Sequence, residues 1–275
     1  METKLISASD GVGLAVHRLG AGPPLYAVHG GPATDHRCFG DYLARISQYR
    51  ELFLLDQRGC GQSEDAPPES YTVERLSGDI EDIRNALGHD TIELLAYSFG
   101  GVIGVDYARR WPERVRALVF VEASVSGWYG PLIAPRGWPL WFRAMVFPGN
   151  RDDSTEFHLK HEVANQAKKE DVRNLLATKG RFDKNRIGPL SSAGMRRTRL
   201  ETLVKRVATF GIYGKQDRRF LGDATYLKRI GATVVFIEDA GHFPFVEQPE
   251  AFHRALRQFL GSQIPSSEAG GVGLA

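Results

Sequence analysis

Leu94-Leu95-Ala96-Tyr97-Ser98-Phe99-Gly100-Gly101 carries an apolar run straight into a serine and then into two glycines. The run 92–96 has the length of a buried strand, and helical spacing begins just after it at Val102, Val105, Tyr107 and Ala108. A serine on so tight a strand-to-helix turn sits in strained backbone and holds its hydroxyl above the sheet edge. The turn needs small residues two positions to either side, where backbones approach closely, and Ala96 and Gly100 supply them. A serine that merely caps a helix is the competing reading. The strand–turn–helix setting favours a nucleophile.

Outward from this turn, strand-sized apolar runs recur at 14–18, 25–28, 52–55 and 118–121. A helical pattern lies between two of them at Val73, Leu76, Ile80, Ile83 and Leu87. Strands alternating with helices predict an α/β fold, with a largely parallel sheet covered on both faces. The first two runs have no helix between them and are expected to form an antiparallel edge. The rhythm stops after Glu122, resumes at 207–213 and 233–237, and closes with a helix opened by Pro249 through Phe252, Leu256, Phe259 and Leu260. The interruption, 124–206, reads as an insertion on a core made of 1–123 and 207–262. It begins rich in aromatics, Trp128, Trp138 and Trp141 among them, and continues as a charged, helix-compatible stretch from 153 to 179. The small, polar tail 263–275 is expected to fray.

Three further segments complete a candidate site. His29-Gly30-Gly31-Pro32 follows a strand, and glycines there let backbone N–H groups face a pocket. The expected oxyanion donors are the N–H groups of Phe99 and Gly31. His242, in Gly241-His242-Phe243, is the one histidine of eight that combines a late-strand position with a preceding glycine. Asp217 follows the run 207–213 in a glycine-containing loop, which gives the chain order serine, acid, histidine. Glu122, at the end of the run 118–121, is the competing acid. His29, Tyr97 and Phe243, with Trp128, Trp138 and Trp141, are candidate substrate contacts. Asp56-Gln57-Arg58-Gly59-Cys60-Gly61-Gln62-Ser63 reads as scaffolding in which Asp56 and Arg58 brace each other. It lacks the Gly-Lys-Ser/Thr of a phosphate loop.

Together these segments resemble the α/β-hydrolase superfamily over essentially the whole chain outside the insertion. His29-Gly30-Gly31-Pro32 and Asp56-Gln57-Arg58-Gly59-x-Gly61-x-Ser63 look most like its proline iminopeptidase branch. Gly241-His242-Phe243-Pro244 and Glu247-x-Pro249 are also family-like. The resemblance implies an eight-stranded, mostly parallel sheet, a helical cap inserted after the sixth strand, and a Ser98-Asp217-His242 triad that needs no cofactor or metal. Two departures stand out. That branch usually carries Gly-Gly-Ser-Trp-Gly at the nucleophile, where this chain has Ala96-Tyr97-Ser98-Phe99-Gly100, and it usually follows His-Gly-Gly-Pro with glycine, where this chain has Ala33.

Composition narrows the function classes. Hydrophobic residues at 42% and charged residues at 25% of 275 exclude a disordered or fibrous chain. A net charge of +2 is no nucleic-acid footprint. No apolar run has the length of a membrane span, and Met1-Glu2-Thr3-Lys4 does not open a signal peptide, so a cytoplasmic protein is expected. Cys38 and Cys60 share no metal-ligand spacing. Residues 124–206 hold 16 Lys and Arg against 8 Asp and Glu. An exopeptidase must hold a free ammonium, so this basic insertion favours a neutral or anionic small molecule. The expectation is a serine hydrolase of an ester, lactone or amide. A proline iminopeptidase-like aminopeptidase is the alternative, as is a biosynthetic enzyme using the same residues for acyl transfer, C–C cleavage or cyclisation.

Overall fold

The computed structural model describes residues 1–31, 34–125, 151–177 and 200–263. Trp128, Trp138, Trp141, Pro32, Ala33 and the tail from 264 onward lie outside the described residues. One sheet of eight strands organises the chain: β1 (Glu2–Ser7), β2 (Gly13–Leu19), β3 (Pro24–Val28), β4 (Glu51–Leu55), β5 (Ile92–Tyr97), β6 (Val115–Val121), β7 (Ala208–Gly214) and β8 (Thr233–Ile237). Their spatial order is β1-β2-β4-β3-β5-β6-β7-β8. Pairings from β4 across to β8 are parallel, while β1–β2 and β2–β4 are antiparallel.

The antiparallel edge therefore differs from the expected one. β2 does not pair with β3; it pairs with β1 and β4. The reason lies in burial. β3 is buried along almost its whole length, as only an interior strand can be, whereas β1 buries little besides Ile6.

Period-two alternation divides the core. Leu94 and Ala96 of β5 face one apolar layer, with α1 (Val73–Ala86) and α2 (Gly100–Arg110), while Leu95 and Tyr97 face the other. Thr72 caps α1 by accepting the Arg75 N–H at 3.1 Å, and Leu76, Ile80 and Ile83 bury one stripe of that helix. Between β6 and β7 lie α3 (Arg151–His161), α4 (Lys169–Ala177) and the short α5 (Glu201–Val204). The remaining helices are α6 (Leu221–Arg229), α7 (Pro244–Glu247) and α8 (Pro249–Gly261). Phe252, Leu256 and Leu260 of α8, four residues apart, pack on the second face. Ser98, Asp217 and His242 follow β5, β7 and β8, so the parallel sheet delivers all three to its C-terminal edge.

Candidate active site

Ser98 has φ of 53°, the strained conformation the sequence predicts, and three backbone bonds hold it there. Its N–H donates to Val121 O at 3.0 Å, and its carbonyl accepts from Gly101 at 3.0 Å and Ser124 at 3.2 Å. Steric demand at the turn is explicit: a Cβ on Gly100 would lie 2.6 Å from Val28 O. Alanine is tolerated at position 96 because its Cβ meets Gly104 of α2, where a side chain would stand 3.0 Å away. The loop after β3 passes directly over the serine, since a Cβ on Gly30 would sit 2.8 Å from Ser98 Cβ. Neither the Phe99 N–H nor the Gly31 N–H has an acceptor among the described residues.

His242 lies between the serine and the aspartate. Its Nε2 is 3.2 Å from Ser98 Oγ and its Nδ1 2.8 Å from Asp217 Oδ2. A carboxylate only accepts, so Nδ1 carries the proton and Nε2 is left to accept from the hydroxyl. The ring stacks on Phe220 at 5.4 Å and leans on Tyr97 at 5.2 Å. Burial lowers the His242 pKa, and the Arg219 charge lowers it further against the pull of Asp217. Both effects favour the neutral ring. Asp217 is pushed the other way by its own burial, but Arg219 and His242 hold its carboxyl well below the usual range.

Arg219 carries no sequence signal for this site, and neither does its tie to Glu162. Its guanidinium grips Asp217 through Nη2 at 3.0 Å and Nε at 3.2 Å, and also bonds Glu162. Glu162 follows α3, is buried, and bonds His158 as well; burial pushes its pKa up, but the Arg219 charge first and His158 next bring it down to about 2. The Glu162 carbonyl accepts the His242 N–H at 2.7 Å. Glu247 of α7 makes a second tie: Oε1 accepts from Gly241 and Phe243, and Oε2 from Ala164 and Asn165. The Glu162 carbonyl and the Glu247 carboxylate thus fasten the histidine loop to the chain that follows α3. The motif Glu247-x-Pro249 is the only sequence signal for this arrangement.

Other expected site residues are placed differently from one another. His29 is fully buried; its Nε2 accepts from the Gln57 N–H at 3.1 Å and its Nδ1 donates to Gly30 O at 2.9 Å. It braces the loop and presents no free ring nitrogen. Tyr97 is buried beneath His242, with its hydroxyl donating to the His242 carbonyl at 3.1 Å. Phe243 packs edge-on against His242. Asp56 and Arg58 do not brace each other. Asp56 bonds His17 and His36, while Arg58 bonds Asp79 and Asp10, because donors from β2 and the chain after β3 surround the carboxylate and two carboxylates, from α1 and the β1–β2 connection, surround the guanidinium.

A profile for the alpha/beta hydrolase fold matches residues 23–249. The chain belongs to the alpha/beta hydrolase family. Within this family it is similar to the proline iminopeptidase of Lactobacillus delbrueckii subsp. bulgaricus, 34% identical over 109 residues, which is 38% of this chain and 37% of that protein. It is likewise 35% identical over 113 residues to the proline iminopeptidase of Saccharolobus solfataricus, covering 39% of this chain and 35% of that one. These matches span little more than a third of the curated relatives. Over the whole α/β-hydrolase fold, the structure superposes on a thermophilic esterase from Thermogutta terrifontis with malate bound, at a TM-score of 0.75 and 21% identity, covering 96% of this chain and 99% of that one. No described helix is long and apolar enough to cross a membrane.

Proposed function

We propose that the chain is a serine hydrolase that cleaves an acyl ester or lactone of a small molecule, with residues 124–206 as the cap over the site. The observation that carries this reading is the continuous relay from Ser98 Oγ to His242 to Asp217, at 3.2 and 2.8 Å. Ser98 Oγ attacks the carbonyl carbon as His242 Nε2 takes its proton. The tetrahedral oxyanion is received by the N–H groups of Phe99 and Gly31. Collapse breaks the C–O bond, and the imidazolium returns the proton to the departing alkoxide oxygen. A water then repeats the sequence on the acyl-enzyme, with His242 again as base, and frees Ser98 and the acid. Asp217 fixes the tautomer and stabilises the imidazolium.

Ester is favoured over amine-terminated substrate by the carboxylates of 155–177. Glu156 and Glu170 pair with Arg173, Asp171 with Lys168, and Glu162 with Arg219 and His158. Each already faces a cation, Glu156 and Glu170 sharing Arg173, and the one buried carboxylate of the four, Glu162, is held by Arg219, which favours a substrate without an ammonium. The similarity to proline iminopeptidases supports the second reading, an aminopeptidase. Matched neutral acyl-ester and prolyl-amide substrates, each kcat/KM divided by its uncatalysed rate, separate the two. The ester is expected to win. A clear win for the prolyl amide, abolished by blocking its amine, overturns the ester assignment.

A further inference from the structure

Beside Asp217 stands a third carboxyl group that this reaction does not use. Glu122 directly follows β6 with φ of 43°, a conformation that is strained for a side chain of this size, and it is fully buried. Its Oε1 accepts the Gly214 N–H, while its Oε2 is buried with no partner. A Glu122 oxygen, an Asp217 oxygen and a His242 ring nitrogen lie within 4.8 Å of one another. The ionisable groups that face Glu122 are Asp217 and Arg219 after β7, His242 after β8, Tyr97 of β5 and Tyr213 of β7. Arg219 is the one cation of this set, and its N–H groups are engaged by Asp217 and Glu162. A second negative charge beside Asp217 would therefore be buried, unpaired and repelled.

We infer that Glu122 is held as a neutral carboxylic acid whose Oε2–H donates to the Asp217 carboxylate, making it a positioning residue for the catalytic acid. This rests on the triad reading above. One proton answers two observations: the orphan oxygen becomes a paired donor, and the like-charge contact disappears. Burial and the Asp217 charge both drive the Glu122 pKa well upward, the direction this requires. Asp217 already accepts from the Arg219 backbone and guanidinium and from His242, at 2.8 to 3.2 Å, and the Glu122 hydroxyl adds a further donor to this carboxylate. By withdrawing density from Asp217, the acid weakens the pull on His242 and helps to keep the imidazole neutral.

Infrared difference spectroscopy of the full chain tests the charge state without reference to turnover. Wild type minus Glu122→Gln should show a carboxylic-acid C=O band near neutral pH; a carboxylate band in its place overturns the inference. The acid limb of kcat/KM tests the role. Glu122→Gln retains a neutral donor and should leave the limb in place. Glu122→Met removes the donor, concentrates charge on Asp217 and should move the limb upward by up to about one unit. An ionised Glu122 would predict a downward shift of about one to three units for both variants. A downward shift in either, or an unmoved limb in Glu122→Met, overturns the positioning role. Failure of the triad reading would show separately, as full activity in Ser98→Ala, while the infrared band stands or falls on its own.

Discussion

Asp56 and Asp217 stand just beyond β4 and β7, each buried and each bonded to histidine, yet the two clusters end differently. Asp56 Oδ1 accepts from the backbone N–H of His36 at 2.9 Å and from its Nδ1 at 2.8 Å. Its Oδ2 accepts from Gln62 at 2.9 Å and His17 at 3.0 Å. His17 turns its other nitrogen to Thr3 Oγ1 at 2.9 Å, and the two imidazoles lie 3.6 Å apart. Every bond here returns to the scaffold, stitching β1, β2 and the chain after β4 together. In the Asp217 cluster the far ring nitrogen instead reaches a serine hydroxyl on a strained turn. A buried Asp–His pair is thus no mark of catalysis by itself. What matters is whether the second nitrogen ends on scaffold or on a hydroxyl beside unsatisfied N–H donors.

The largest effect should come from removing that hydroxyl. Ser98→Ala is expected to lower kcat by about 10⁶-fold with the melting profile unchanged. A serine-directed fluorophosphonate should label wild type at Ser98 and leave the variant unlabelled. Full turnover in a folded Ser98→Ala protein would erase the distinction between the clusters.

Matched substitutions at the two aspartates come next. Asp217→Asn should cost about 10⁴-fold in kcat, because the amide favours the wrong imidazole tautomer. Asp56→Asn should leave kcat near wild type at temperatures where the protein is folded, and should cost about 3 kcal/mol of stability in urea titrations. Burial opposes ionisation of Asp56, but the donors from His17, His36 and Gln62 overcome it and hold its pKa well below the ordinary value. Its stabilisation is therefore complete above the unfolded pKa of about 4 and fades as pH falls below it. Asp56→Asn should flatten that acid-side loss. If Asp56→Asn proved inactive and Asp217→Asn merely unstable, the roles assigned to the clusters would be reversed.

Much of this contrast can be read from the chain, and the unread part has a physical cause. Ser98, Asp217 and His242 each follow an apolar run and carry a small residue nearby, so local pattern locates them. β1 escapes notice because an edge strand with one buried side chain needs no apolar run. The β2–β3 connection looks like a hairpin, but strand order in a sheet is decided by crossovers that no local pattern encodes. The Arg219–Glu162 bond spans 57 positions and joins residues that resemble surface charges in isolation. The Asp56 octapeptide reads as scaffolding, but its histidine partners, 39 and 20 positions away, carry no local signal.

The smallest effect is on pH dependence, and it separates the clusters without abolishing either. Asp217 differs from Asp56 in having a guanidinium as its second partner. That cation also faces His242, whose pKa is lowered by burial first and by Arg219 next. The proposed mechanism requires the neutral imidazole, so the acid limb of kcat/KM should fall below the ordinary histidine value of about 6.5. Arg219→Gln keeps hydrogen-bond donors and removes the charge. Without it the imidazolium is favoured, and the Glu162 carboxylate, no longer balanced, pushes the same way. The limb should therefore move upward by about one unit, with the plateau at higher pH retained. Asp56→Asn should leave the limb where it is, because none of its bonds touches His242. A limb that stays still in Arg219→Gln, or moves down, would show that the guanidinium only anchors Asp217 and does not tune the base.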